Sequence, residues 1–328
     1  MAAPRGAGVI TVAILPVIAA VLLAASVSLA EPTDRFMGDY AGKISATTGI
    51  RAEATAKVVP EGGGVYRAVL ASGESLVLLK GRTEGNRVLL GDSAGWTATI
   101  AGGALTASAG SGRESYSLKM VERRSPTLGM KPPKGAIVLL PPAKGKPSMA
   151  EWDNAGWKTL PGGVMEASNG DNRTRRSFGD IELHVEFRIP YQPGTERDRG
   201  NSGVYLEDRY EIQVLETFGL DPDPGVCGAV YQVAAPKVNA TLPMLAWQTY
   251  DITFRAPRFN PDGTVAGPAL ISVRHNGIFV HDKVAVTNQT GGGAEGAVPT
   301  GPIKLQDHGF PVQYRNIWVV EMKDDPSR

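Results

Sequence analysis

The residues with the most chemical promise fall in one short stretch, Gly200-Asn201-Ser202-Gly203-Val204-Tyr205-Leu206-Glu207-Asp208-Arg209-Tyr210-Glu211-Ile212-Gln213-Val214-Leu215-Glu216. It reads as two strands joined by a tight turn at Glu207-Asp208-Arg209. Successive side chains of a strand point to opposite faces. With Val204, Leu206, Ile212 and Val214 turned to a core, Gly203, Tyr205, Glu211 and Gln213 share the other face. A ring, a carboxylate and an amide then stand beside glycines that let a ligand approach the backbone. That composition suits a sugar, whose apolar ring face stacks on an aromatic while its hydroxyls meet polar groups.

Glu216 lies five residues beyond Glu211, which in a regular strand sends it to the opposite face. A one-residue bulge brings it back, and bulges often re-aim side chains beside active sites. The spacing Glu211-x-Gln213-x-x-Glu216 is similar to the Glu-x-Asp-x-x-Glu of laminarinase-type glucanases, where two carboxylates act as nucleophile and acid/base. Gln213 departs from that pattern, because an amide carries no charge to set the neighbouring carboxyls. Elsewhere, Glu182, His184 and Glu186 alternate on one strand face; this reads as a solvated or groove-lining face, with a metal site as the alternative. Arg173, Arg175 and Arg176 form the densest basic cluster and read as a solvated loop.

The elements that must carry these residues are strands. Among 328 residues, 40 are Gly and 24 Pro, and short apolar runs alternate with turn signals, the signature of an all-β chain. Residues 31–122 read as a small β-rich domain, a meander or partial barrel, with Gly62-Gly63-Gly64 and Glu84-Gly85-Asn86 as turns. Residues 123–147, rich in Pro and Lys, read as a linker, with Ala136 to Leu140 a candidate docking strand. In 148–328 the run Ile181 to Ile189 is apolar at every odd position, and Asn276-Gly277 between two strand patterns signals a hairpin. Many antiparallel strands without helices predict a two-sheet jelly-roll β-sandwich.

Composition excludes some partners. The formal net charge is +1, from 34 basic and 33 acidic residues, and offers no footprint for nucleic acid. No protein partner is inferable. The single cysteine, Cys227, permits no internal disulfide and reads as a small buried hydrophobe. Residues 1–30 carry Arg5, an apolar run from Val9 to Val27, and small residues at Ser28 and Ala30, the layout of a cleaved secretory signal peptide. A secreted or periplasmic protein is expected, with a membrane anchor at residues 9–29 as the alternative.

The segment 148–328 as a whole resembles the 3-keto-disaccharide hydrolase domain family of secreted bacterial proteins. The resemblance is carried by Gly200-Asn201-Ser202-Gly203-Val204-Tyr205, Arg209-Tyr210-Glu211-Ile212-Gln213-Val214-Leu215-Glu216, Cys227-Gly228-Ala229-Val230-Tyr231, Trp247-Gln248-Thr249-Tyr250-Asp251-Ile252, His275-Asn276-Gly277, Leu305-Gln306-Asp307-His308-Gly309 and Arg315-Asn316-Ile317-Trp318, in that order. It implies a concanavalin-like sandwich and cleavage of disaccharides oxidised at C3. A ketone at C3 acidifies the C2 proton, so a modest base removes it and the C1 substituent leaves by β-elimination, after which water adds. Such chemistry needs a base, an acid and oxyanion donors. Carried onto this sequence, the resemblance implies Glu211 as base or acid and His308 as its partner. It further implies Arg199, Asn201 and Gln306 as donors and Tyr205 as the ring stacked on the sugar, with Gln213 and Glu216 as further candidates for binding the substrate. No cofactor is required by these residues, although a divalent metal stays open. The competing reading is a non-catalytic glycan-binding module using the same sheet face.

Overall fold

The computed structural model describes residues 34–47, 49, 51–142 and 148–323. The expected signal peptide or anchor lies outside them. All regular structure among the described residues is β-strand.

The first eight strands are β1 (Gly38–Ala46), β2 (Arg51–Gly62), β3 (Val65–Ser72), β4 (Ser75–Glu84), β5 (Arg87–Gly91), β6 (Thr97–Ala101), β7 (Ala104–Ser108) and β8 (Glu114–Val121). Each pairs antiparallel with the next, and β1 pairs β8, closing a barrel. The closure removes every free edge. Its interior is filled by alternate residues such as Tyr40, Ala68, Leu70, Leu79, Ile100, Leu105 and Leu118. The sequence pattern suggests only a partial barrel because β7, Ala-Leu-Thr-Ala-Ser, carries a single large apolar residue.

The remaining strands form a sandwich. They are β9 (Ile137–Leu140), β10 (Lys158–Leu160), β11 (Val164–Glu166), β12 (Asn172–Phe178), β13 (Ile181–Arg188), β14 (Ser202–Leu206) and β15 (Tyr210–Val214), followed by β16 (Trp247–Arg255), β17 (Arg258–Phe259), β18 (Val265–Gly267), β19 (Ala269–His275), β20 (Ile278–Val286), β21 (Gly301–Leu305) and β22 (Gln313–Glu321). The larger sheet runs β10-β11-β22-β13-β16-β19-β20, with β9 also on β22; the smaller runs β12-β21-β14-β15. Between them lies one apolar core, including Val185, Phe187, Val204, Ile212, Tyr250, Ile271, Leu305 and Val319. The Asn276-Gly277 hairpin forms as its sequence directs, with both residues at positive φ, 51° and 78°.

Three sequence expectations change. Arg173, Arg175 and Arg176 lie on β12 rather than in a loop. Residues 123–142 fold onto the sandwich: β9 pairs β22, and Thr127 donates to Asp251 at 2.7 Å while the Gly129 amide donates to Glu186 at 2.5 Å. That cover also overturns the solvated face on β13. His184 and Glu186 are 0% and 1% exposed; only Glu182 faces solvent. Cys227 is fully buried, its Sγ 3.2 Å from the Tyr250 hydroxyl.

Candidate functional site

The hairpin β14–β15 builds the site. Its turn holds Glu207 and Asp208 at φ 53° and 58°, closed by the Arg209 amide donating to the Leu206 carbonyl at 2.9 Å. The register sets Tyr205 opposite Glu211 and Gly203 opposite Gln213. The row continues through β21 and β12, where Lys304 is the partner of both Tyr205 and Arg173. Val204, Leu206, Ile212 and Val214 of the same strands belong to the core, so the row occupies the sheet's other face.

Three loops wall that face. Residues 226–234 lie along the free edge of β15, with the Tyr231 amide on the Glu211 carbonyl at 3.1 Å and the Gln213 amide on the Ala229 carbonyl at 3.0 Å. Thr290 to Gly293 form a second wall, fixed by the Glu211 amide donating to Thr290 Oγ1 at 2.9 Å. The third, Gln306 to His308, is tied down through the Gln306 amide on the Gly203 carbonyl at 3.0 Å and the Gly170 amide on Asp307 at 2.8 Å. They enclose a cleft of about 270 Å³ lined by Asn201, Tyr205, Glu211, Gln213, Tyr231, Gln232, Gly291, Gly292, Gln306 and His308. No lysine or arginine is among those residues.

Inside, the Tyr205 hydroxyl lies 2.9 Å from Glu211 Oε2, 2.8 Å from the Gly291 carbonyl and 3.1 Å from Gln306 Nε2. Burial pushes the Glu211 carboxyl up to about 8, against the pull of the Tyr205 hydrogen bond and Lys304. Gly203 makes room for it. A Cβ there falls within contact distance of Glu211 Oε1 and 2.8 Å from Tyr205 Cε2. The side-chain oxygens of Gln213 and Gln306 are buried without a partner. Unpaired buried acceptors are costly in a folded protein, and two facing one cleft mark places for donors on a ligand.

Six of the eight sequence-derived site residues therefore meet: Glu211, His308, Asn201, Tyr205, Gln213 and Gln306. Arg199 and Glu216 do not reach the cleft. Strand β15 ends at Val214, and no bulge re-aims Glu216. Its carboxyl is 3% exposed, accepts from the Phe218 amide at 3.2 Å, and burial pushes it up to about 7. The Arg199 guanidinium turns to the carbonyls of Gly194 and Glu196. The paired carboxylates of the glucanase pattern are thus not assembled. Tyr205 offers no stacking face either: it is 0% exposed, and the Lys304 ammonium stands 3.8 Å from its ring centroid. The half-buried Tyr231 is the aromatic on the rim.

Sequence reasoning missed Lys304, Tyr231, Gln232 and the glycine loop. Lys304 is 2% exposed, bonded to the Gly292 carbonyl at 2.7 Å and paired with Asp208 at 2.9 Å and Asp171 at 3.6 Å. The triplet Gly291-Gly292-Gly293 was the available signal for the loop. Gly292 sits at φ +72°, and a Cβ there falls 2.9 Å from the Tyr205 hydroxyl. Among the described residues no group of three or more His, Cys, Asp or Glu is placed to hold a metal ion.

The family model of the 3-keto-alpha-glucoside-1,2-lyase-like domain matches residues 135–320, more than half the chain, and the chain belongs to that family. This is a carbohydrate-active, glycosyl hydrolase-like family. A solved structure from Parabacteroides distasonis, provisionally described as a glycosyl hydrolase, is 30% identical with a TM-score of 0.51, covering 58% of this chain and 85% of its own. Two more from that organism, described in the same way, are 20% and 15% identical with TM-scores of 0.39 and 0.41; they cover 52% and 58% of this chain and 94% and 95% of theirs. No curated protein matches the chain.

Proposed function

We propose that this protein cleaves the C1–O bond of 3-keto-glycosides, disaccharides among them, by elimination across C1 and C2, with water adding afterwards. The observation that carries the reading is the meeting of Glu211 and His308 in one cleft with neutral amide and hydroxyl groups, in a chain of the lyase-like family. The ketone supplies the acidity, so the protein needs an acid/base pair and hydrogen-bond donors rather than two ionised carboxylates. Asn201 and the Gln306 and Gln232 amides supply donors around the sugar, while the Gln213 and Gln306 side-chain oxygens accept from its hydroxyls.

Size and charge narrow the substrate. A volume of about 270 Å³ is at the lower bound of small-molecule sites, which start near 300 Å³, and suits a single sugar ring with the C1 substituent outside. A lining without Lys or Arg favours neutral sugars over uronates or sugar phosphates. The pattern of residues 1–30 supports export to the periplasm or medium. The test is turnover of a panel of C3-oxidised disaccharides, such as 3-keto-trehalose, with and without chelator. Release of free sugar is expected. Saturable binding of unmodified glycans with no turnover on the panel instead defines a binding module.

A further inference from the structure

We infer that Glu211 enters the reaction as a neutral carboxylic acid that protonates the leaving oxygen, which gives His308 the C2 proton; the inference rests on the elimination proposed above. The argument starts from the proton count at Tyr205. A phenol has one proton to donate and an oxygen that accepts. Of its three neighbours, Gln306 Nε2 only donates and the Gly291 carbonyl only accepts. The phenol proton serves either Gly291 or Glu211; with it on Gly291, the contact with Glu211 Oε2 at 2.9 Å is satisfied only if Glu211 carries a proton of its own. An ionised Glu211, buried, competes with the Gly291 carbonyl for the one phenol hydrogen. Reversing the Gln306 amide adds a third acceptor and worsens the shortage.

Charge around the carboxyl leads to the same state. Lys304, the cation behind Tyr205, is paired with Asp208 and Asp171, and Arg173 beside it pairs with the same two carboxylates. Two cations are thus offset by two anions, and Asp171 opposes the pull of Lys304 on Glu211. The groups facing Glu211 are Tyr205 from β14, Lys304 from β21, Asp171 from the loop before β12, Tyr231 and His308 from the cleft loops, and Tyr314 from β22. Burial of the carboxyl acts in the same direction.

The step balances. The C2–H bond breaks with its proton passing to the His308 imidazole, and the electron pair forms an enolate with the C3 ketone. The C1–O bond then breaks as C1=C2 forms, and the departing oxygen takes the Glu211 proton. Proton return from imidazolium to carboxylate, through solvent, resets the pair.

Two 3-keto-glucosides that share the glycosyl unit separate acid from base. One releases a sugar alcohol and the other 4-nitrophenolate, which departs without protonation. For Glu211→Gln, kcat/KM is expected to fall about 10²–10⁴-fold on the disaccharide and less than about tenfold on the nitrophenyl glycoside. Wild-type activity on the disaccharide is expected to decline as pH rises through about 8, a limb absent with the nitrophenyl substrate. Equal losses on both substrates, no loss on either, or wild-type activity that rises through the same pH range overturn the assignment. A wild type inactive on both overturns the elimination and this assignment with it. Should the Gln variant fail to fold, the two wild-type pH profiles decide alone.

Discussion

At the scale of single residues, the site depends on what is missing as much as on what is present. Gly203 carries no Cβ, and the Glu211 carboxyl occupies that space beside Tyr205. Gly203→Ala is expected to displace the carboxyl and lower kcat by about tenfold or more, at a stability cost of about 1–3 kcal/mol from overpacking; steady-state kinetics and a thermal melt on the same preparation separate the two effects. Full activity in that variant contradicts the placement of Glu211. The outward set Tyr205, Glu211 and Gln213 was legible from alternation alone, since a buried strand face fixes the parity of its neighbours. Glu216 was not, because whether a strand bulges or simply ends is decided by the packing around Phe218 and Arg199. Nor was Lys304: an isolated lysine in a sequence reads as solvated, and its burial follows from Asp171 and Asp208, which are remote in sequence. Tyr231 sat inside the Cys227–Tyr231 block but in a segment with no period to orient it.

Among the elements, strand β13 was the plainest, with eight residues in unbroken alternation, yet the reading of its outer face was wrong. His184 lies 2.6 Å from Asp251 and stacks on Trp318; Glu186 accepts from Arg315 at 2.7 Å, Asn316 at 2.8 Å and the Gly129 amide. The His184 imidazole, 3.7 Å away, and then these donors hold Glu186 down to about 2 despite its burial. They also fasten residues 127–130 over the larger sheet, something no local pattern announces. Glu186→Ala strips the half-buried Arg315 guanidinium and two amides of their fully buried partner and is expected to cost about 3–5 kcal/mol. Denaturant titration measures it, and a cost under about 1 kcal/mol marks the cluster as an ordinary surface pair. The short strands β10 and β11 were invisible for a simpler reason: three residues are too few for a period.

Over the whole molecule, barrel and sandwich meet through specific contacts. Asp34 accepts from both Tyr66 and Tyr191 at 2.8 Å, Arg67 reaches the Gly219 carbonyl at 3.2 Å, and Arg123 joins Asp39 at 2.8 Å to the Thr241 carbonyl at 3.3 Å. The buried carboxyls give the fold a pH signature. Glu207 and Glu211 are both pushed up to about 8 by burial. Above pH ~4.5, the unperturbed glutamate value, the unfolded chain releases these two protons while the folded protein keeps them. Stability therefore falls as pH rises from there to about 8, by up to about 1.4 kcal/mol per pH unit for each proton held. Glu207→Gln is expected to flatten the fall in Tm over that window; an unchanged slope means Glu207 is ionised in the fold. The most direct measurement of the central claim follows 3-keto-trehalose with the purified protein by proton NMR in D₂O. Loss of the C2 proton, growth of an unsaturated C1=C2 product or its hydrate, and free glucose are expected in proportion. Intact substrate retaining its C2 proton, with or without binding, contradicts it.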